Sequence, residues 1–108
     1  MIDKNKILAL FSATTCIDKE KMQNYFNENS IENFEAVYAE FIGLRENLFG
    51  YLWKITEPNL QLTQKEIAEI STKFLKEKYL WINDEGIKSV LDYTFWICWH
   101  EGLLLKQN

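Results

Sequence analysis

The sequence predicts an all-α fold: a single compact bundle of about five helices, with a long central third helix and an apolar C-terminal helix. Three observations carry that prediction. Apolar residues recur at three- and four-residue spacing over most of the chain, which is the period of a helix with one buried stripe. A single proline, Pro58, and only four glycines argue against a turn-rich β architecture. Segments with the helical period are separated by Ser, Thr, Asn and Asp at positions suited to helix N-caps.

The first helix is expected over about residues 3 to 12, with Ile7, Leu8 and Phe11 on one side. Thr15 to Asp18 reads as a capping box, opening a second helix to about Asn27 with Met22, Tyr25 and Phe26 apolar. Asn27, Asn29 and Ser30 interrupt the pattern, and Ser30 is a suitable N-cap for the third helix. That helix runs from Ile31 to about Thr56, with a stripe of Phe34, Val37, Phe41, Leu44, Leu48, Leu52 and Ile55. Tyr38, Ile42, Phe49 and Trp53 widen the stripe, while Ala36, Ala39, Gly43 and Gly50 lie on the other side. Each interior glycine costs roughly 1 kcal/mol relative to alanine, so these two point to close approach of another helix or to a bend.

Glu57, Pro58 and Asn59 end the third helix, and Thr63 to Glu66 is the clearest capping box in the chain. It starts a fourth helix with Ile67, Ile70, Phe74 and Trp81 inward. Tyr79 to Ile82 is the one strand candidate and has no evident mate. Asn83 or Asp84 caps a fifth helix running to about Lys106. Its segment from Asp92 to Leu105, DYTFWICWHEGLLL, is apolar nearly all the way round, where a surface helix needs only one stripe.

The chain has 108 residues, and no repeat, linker or low-complexity tract divides it, so residues 1–108 form one helical domain. That length suffices for a core without staples, and 47% hydrophobic residues argue against disorder. Sixteen acids against twelve bases give a net charge of -4, which repels phosphate backbones and suits a basic protein partner. Cys16 and Cys98 lie far apart and have no metal-ligand spacing, as expected of reduced thiols in a cytoplasmic protein. Lys4 and Lys6 before Ile7 to Phe11 faintly resemble a signal peptide, but the apolar run is shorter than the usual stretch of about 7–15 residues. No segment is long enough to span a membrane.

Two charges fall on apolar faces. Arg45 projects between Phe41, Leu48 and Leu52, and Glu101 between Thr94, Ile97 and Leu105. Desolvated charges need partners, so one expectation is an Arg45–Glu101 pair across the third and fifth helices. The alternative is that each snorkels to water at the edge of the core. The second face of the last helix, Trp96, Trp99 and Leu103, either packs on the N-terminal helices or meets another protein.

No catalytic or metal motif emerges. Cys98 and His100 suggest a nucleophile beside a base, but residues two apart on a helix diverge by about 200°. His100-Glu101 has no second histidine four residues after the first, as a metalloprotease helix requires. Lys73, Lys76 and Lys78 are interrupted by Glu77 and read as a solvated face. No cofactor is expected, and no enzymatic role. Glu32, Glu35 and Glu46 fall within a sector about 60° wide on an ideal helix. Together with Tyr38 they suit a surface that docks onto a cationic cleft, where complementary charge speeds encounter. A plainly solvated face is the competing reading.

A small, acidic, helical domain with aromatics available to its surface and no catalytic set resembles the bacterial immunity proteins that neutralise secreted toxins. Those of nuclease colicins and of contact-dependent growth inhibition systems are examples. The resemblance lies in overall character and carries over no site residue. It implies a cognate basic toxin, often a nuclease, blocked at its active site or an exosite, with no chemistry by this chain. The expected contacts are Glu32, Glu35, Glu46, Tyr38, Trp96 and Trp99 on a monomer that touches neither nucleic acid nor membrane. A helical adaptor that self-associates through Trp96 and Trp99, and a phage-type inhibitor of a host nuclease, are the alternatives.

Overall fold

In the computed structural model, residues 2–13, 15–56 and 61–105 are described. Five helices follow in order: α1 (Lys4–Phe11), α2 (Lys19–Glu28), α3 (Phe34–Ile55), α4 (Gln64–Lys78) and α5 (Asp84–His100). The described residues form no strand, only two isolated bridges, Ser12 with Ile17 and Leu62 with Leu104. The all-α bundle read from the sequence is the fold observed. The core joins Ile7 and Leu8 of α1, Met22 and Phe26 of α2, and Phe41, Leu44, Leu48 and Leu52 of α3. Ile67 and Leu75 of α4 and Val90 and Cys98 of α5 join it, with Ile17, Leu62, Ile82 and Leu103 from the connecting segments.

Asp3 caps α1, its carboxylate accepting from the N–H groups of Asn5 and Lys6 at 3.1 and 3.3 Å. The turn that follows is closed by Ala13 N–H donating to the Cys16 carbonyl and Asp18 N–H to that of Phe11. Held there, Asp18 caps α2 through Lys21 N–H at 3.1 Å. Asp18 is therefore itself the N-cap, where Thr15 was expected, and α2 starts later than the sequence reading placed it.

The start of α3 is also displaced. Ile31 N–H donates to the Phe26 carbonyl at 2.8 Å, so it closes the end of α2 and cannot open a new helix. Ser30 and Asn33 both take left-handed φ values, 53° and 68°, and α3 begins at Phe34 without a side-chain cap. From there five of the seven predicted stripe residues, Val37, Phe41, Leu44, Leu48 and Leu52, are at most 7% exposed, while Phe34 and Ile55 at its ends are half-buried.

Thr63 and Glu66 form the predicted capping box, with reciprocal hydrogen bonds of 3.0 and 3.1 Å. Those bonds hold the Glu66 carboxyl below its ordinary pKa, the Thr63 backbone N–H being the largest cause. α4 lies along α3, with Tyr51 stacked on Phe74 and Asn47 donating to the Tyr79 hydroxyl at 3.1 Å. Tyr79 to Ile82, the strand candidate, is the turn into α5. Asn83 caps that helix through Glu85 and Gly86.

α5 packs on α1, α3 and α4 together, which accounts for its broad apolar surface. It ends at His100, short of the expected Lys106. Gly102 adopts φ 83°, Leu103 N–H donates to the Cys98 carbonyl, and Gly102 N–H donates to that of Trp99. This is a Schellman termination. Leu103 to Leu105 then turn back beside Leu62, which exchanges backbone hydrogen bonds with Leu103 and Leu105 at 2.8 and 2.7 Å.

Candidate protein-binding surface

α3 buries one side and leaves the other bare. With about 100° per residue, Glu35, Glu46 and Trp53 fall within roughly 20° of one another on the bare side. Ala39, Gly50, Gly43 and Ala36 come next around the helix, in that order. All of these are exposed except Gly43, which is half-buried. A Cβ added at Gly43 or Gly50 would meet nothing within 4 Å, so among the described residues no element approaches them. The close packing that these glycines suggested is not made within the fold.

This arc is acidic. Among residues 22–53 the one base is Arg45, and it is buried at 4% exposure. Lys54, exposed in the last turn of α3, projects at the same angle as Ala36 and is the one base on this arc. Glu40 is paired with Lys4 at 2.8 Å, whereas Glu32, Glu35 and Glu46 form no ion pair among the described residues.

The predicted contact residues do not form one patch. Glu35 and Glu46 share the outer arc of α3. Glu32 is exposed but lies in the loop before the helix, so the 60° sector assumed for all three acids does not exist. It lines a cleft of about 820 Å³ together with Ile2, Lys6, Tyr25, Asn29 and Val37. Tyr38 is half-buried toward α2, its ring stacked on Phe34 and beneath the Lys19 ammonium at 5.2 Å.

Trp96 and Trp99 lie on α5, and the structure divides the face they were thought to share. Leu103 is in the core. Trp96 is half-buried, stacked on His100 at 5.3 Å and close to Tyr93. Trp99 is 59% exposed. Trp53, read from the sequence as part of the core stripe, is 45% exposed. Its signal was its spacing: 18 residues after Glu35, about five turns, it returns to the same side of the helix.

Arg45 does not meet Glu101. Its guanidinium stacks over the Tyr93 ring at 4.3 Å and donates through Nη2 to the Ala13 carbonyl at 3.2 Å, with Nε left unpartnered. Glu101 is an exposed residue at the end of α5, 3.3 Å from His100 Nδ1. The Schellman turn causes this separation, because it ends the helix before Glu101 can face inward. Burial lowers the pKa of Arg45, while Tyr93, Cys16 and Tyr38 act in the opposite direction.

Cys98 is buried, and burial pushes its thiol up to about 11; Cys16 is exposed. Cys98 and the exposed His100 therefore belong to different environments. Among the described residues no group of His, Cys, Asp and Glu is arranged to hold a metal ion, and no helix is long and apolar enough to cross a membrane. Comparison with protein-family models, curated proteins and solved structures finds no match for this chain.

Proposed function

We propose that this chain is an immunity-type protein that binds and neutralises a cognate basic bacterial toxin in the cytoplasm. The observation that carries the reading is the outer arc of α3. Among the described residues Glu35 and Glu46 form no ion pair, and they stand beside an exposed Trp53 on a helix whose only base before Lys54 is buried. Unpaired surface carboxylates steer a cationic partner and select against acidic ones. An exposed tryptophan adds the large contact area that binding hot spots use. Glu32 lies apart from this arc, at a cleft that Lys4 and Lys6 also line. A nuclease suits this surface because it must itself be basic to hold nucleic acid.

The test is retrieval and protection. The tagged protein, purified from its native host, should carry a basic toxin domain in near-stoichiometric amount. Co-expression should then restore growth to cells making that domain. A retrieved partner without toxicity, or toxicity that co-expression leaves unchanged, overturns the assignment. Exposure of Trp99 favours a second reading, self-association through the end of α5. Sedimentation at micromolar concentration separates the two, since a strict monomer excludes it.

A further inference from the structure

We propose that Cys16 is a redox-modification site: hydrogen peroxide oxidises its thiol to the sulfinate, and the Arg45 guanidinium is the counter-ion of the oxidised group. The proposal concerns the turn between α1 and α2 and does not depend on the identity of a partner.

That turn is built around a cation without an anion. Arg45 is 4% exposed, and no carboxylate stands within ion-pair distance of it among the described residues. Its Nη2 donates to the Ala13 carbonyl at 3.2 Å, and Ala13 N–H donates to the Cys16 carbonyl at 2.8 Å. Guanidinium and cysteine therefore hold the same turn. Two polar atoms buried there, Arg45 Nε and Ser12 Oγ, have no hydrogen-bond partner among the described residues. A desolvated cation with a donor to spare is stabilised by an anion brought to it.

Three acidic groups lie close enough to act on the Arg45 charge: Tyr93, Cys16 and Tyr38. Phenols are neutral at physiological pH and supply no anion. A thiol becomes a lasting anion once it is oxidised to the sulfinate. Cys16 is also exposed to reagents, whereas Cys98, the other cysteine of the chain, is buried. A sulfenic acid at Cys16 thus meets no second accessible thiol of its own chain, and its course is further oxidation and not an internal disulfide.

In the first step the Cys16 thiolate attacks one peroxide oxygen. The S–O bond forms as the O–O bond breaks, and two electrons pass from sulfur to the peroxide. The departing hydroxide takes up the proton released by the thiol, so the products are sulfenic acid and water. A second peroxide repeats the transfer at the same sulfur, giving sulfinic acid and a second water. The sulfinic acid then releases its proton, and the sulfinate faces the Arg45 charge.

The test treats the full chain with hydrogen peroxide and reads it by peptide mass spectrometry and thermal unfolding. Cys16 should gain two oxygen atoms while Cys98 gains none, and the melting temperature should rise. A Cys16→Ser control treated alike removes any contribution from methionine oxidation. The rise should vanish in Arg45→Met. The charge near the sulfur is read separately, without oxidation, from two alkylating reagents. Anionic iodoacetate, relative to neutral iodoacetamide, should favour Cys16 over free cysteine by about threefold or more at low salt. This ratio is insensitive to how exposed the thiol is, and Arg45→Met should return it to that of free cysteine. A parent ratio equal to that of free cysteine overturns the proposal, as does a melting temperature that falls or stays unchanged when Cys16 is oxidised. A raised ratio that persists in Arg45→Met assigns the charge to Lys19 or Lys21 and overturns the role given to Arg45.

Discussion

The carboxamide of Asn5 occupies the space that a side chain at Gly86 would need. Asn5 Nδ2 donates to the Trp81 carbonyl at 2.9 Å, and its Oδ1 accepts from Asn83 N–H at 2.9 Å. These bonds tie the start of α1 to the chain entering α5, across 76 and 78 residues of sequence. A Cβ on Gly86 would collide with Asn5 Oδ1 and stand 2.9 Å from Ile82 Cγ1. Helix propensity favours Gly86→Ala by up to about 1 kcal/mol, but the collision reverses the sign. The expected outcome in urea denaturation is a net loss of about 1–3 kcal/mol. Asn5→Ala should cost a similar amount, since it strands the groups it bonded. The double variant should lose less than the sum, because the clash disappears with the carboxamide.

Arg45 is a buried cation held by a ring and a carbonyl, with no carboxylate within ion-pair distance among the described residues. Removing one partner of a buried ion pair costs about 3–5 kcal/mol, whereas replacing a buried charge by an apolar group of similar volume is often neutral. Glu101→Gln should therefore change stability by less than about 0.5 kcal/mol, as for other surface sites. Arg45→Met should stay within about 1 kcal/mol of the parent. Arg45→Ala should cost about 2 kcal/mol or more, through the cavity it leaves under Tyr93. A large loss in Glu101→Gln during thermal unfolding would restore the ion pair.

Neither cluster was legible in the sequence, because each joins residues far apart in the chain. Apolar spacing alone fixed the buried side of α3, and the Thr63–Glu66 box formed as read because its four residues need nothing else. Thr15 and Asp18 are both competent caps, and the turn closed by the bond from Asp18 N–H to the Phe11 carbonyl, seven residues back, favours Asp18. Ser30 lost its role because Ile31 was engaged in closing α2. On the outer arc of α3, Glu35 and Glu46 were readable from their angle. Trp53 shares that angle, but its apolar character assigned it to the core stripe, and the fold leaves it 45% exposed. Tyr38, three residues after Glu35, turns toward α2 because Phe34 stacks on it there.

Cys98 makes stability fall at alkaline pH. Its neutral thiol is favoured in the fold, so its folded pKa, about 11, lies above the ordinary 9.0. The contribution is fully present below the unfolded value and is lost as pH rises from about 9 through about 11. The difference in unfolding free energy between the parent and Cys98→Ala should shrink across that window; a constant difference would contradict the assignment. At neutral pH a disulfide reagent should label the exposed Cys16 promptly, and Cys98 only at the rate of unfolding.

Gly102 decides where the last helix stops. Its φ of 83° is in the region that side chains disfavour, and a Cβ there would meet no other atom, so the penalty of substitution is conformational alone. Gly102→Ala should cost about 1 kcal/mol and the β-branched Gly102→Val about 2 kcal/mol, with Gly102→Asn the mildest of the three. The turn also delivers Leu103 to the core and Leu105 to the Leu62 carbonyl. Hydrogen exchange at the Leu62 and Leu105 amides should accelerate in Gly102→Val far more than exchange at the mid-α5 amides. Uniform acceleration along α5 would show instead that the turn and the helix open as one unit, and that the C-terminal residues do not form a separate clasp.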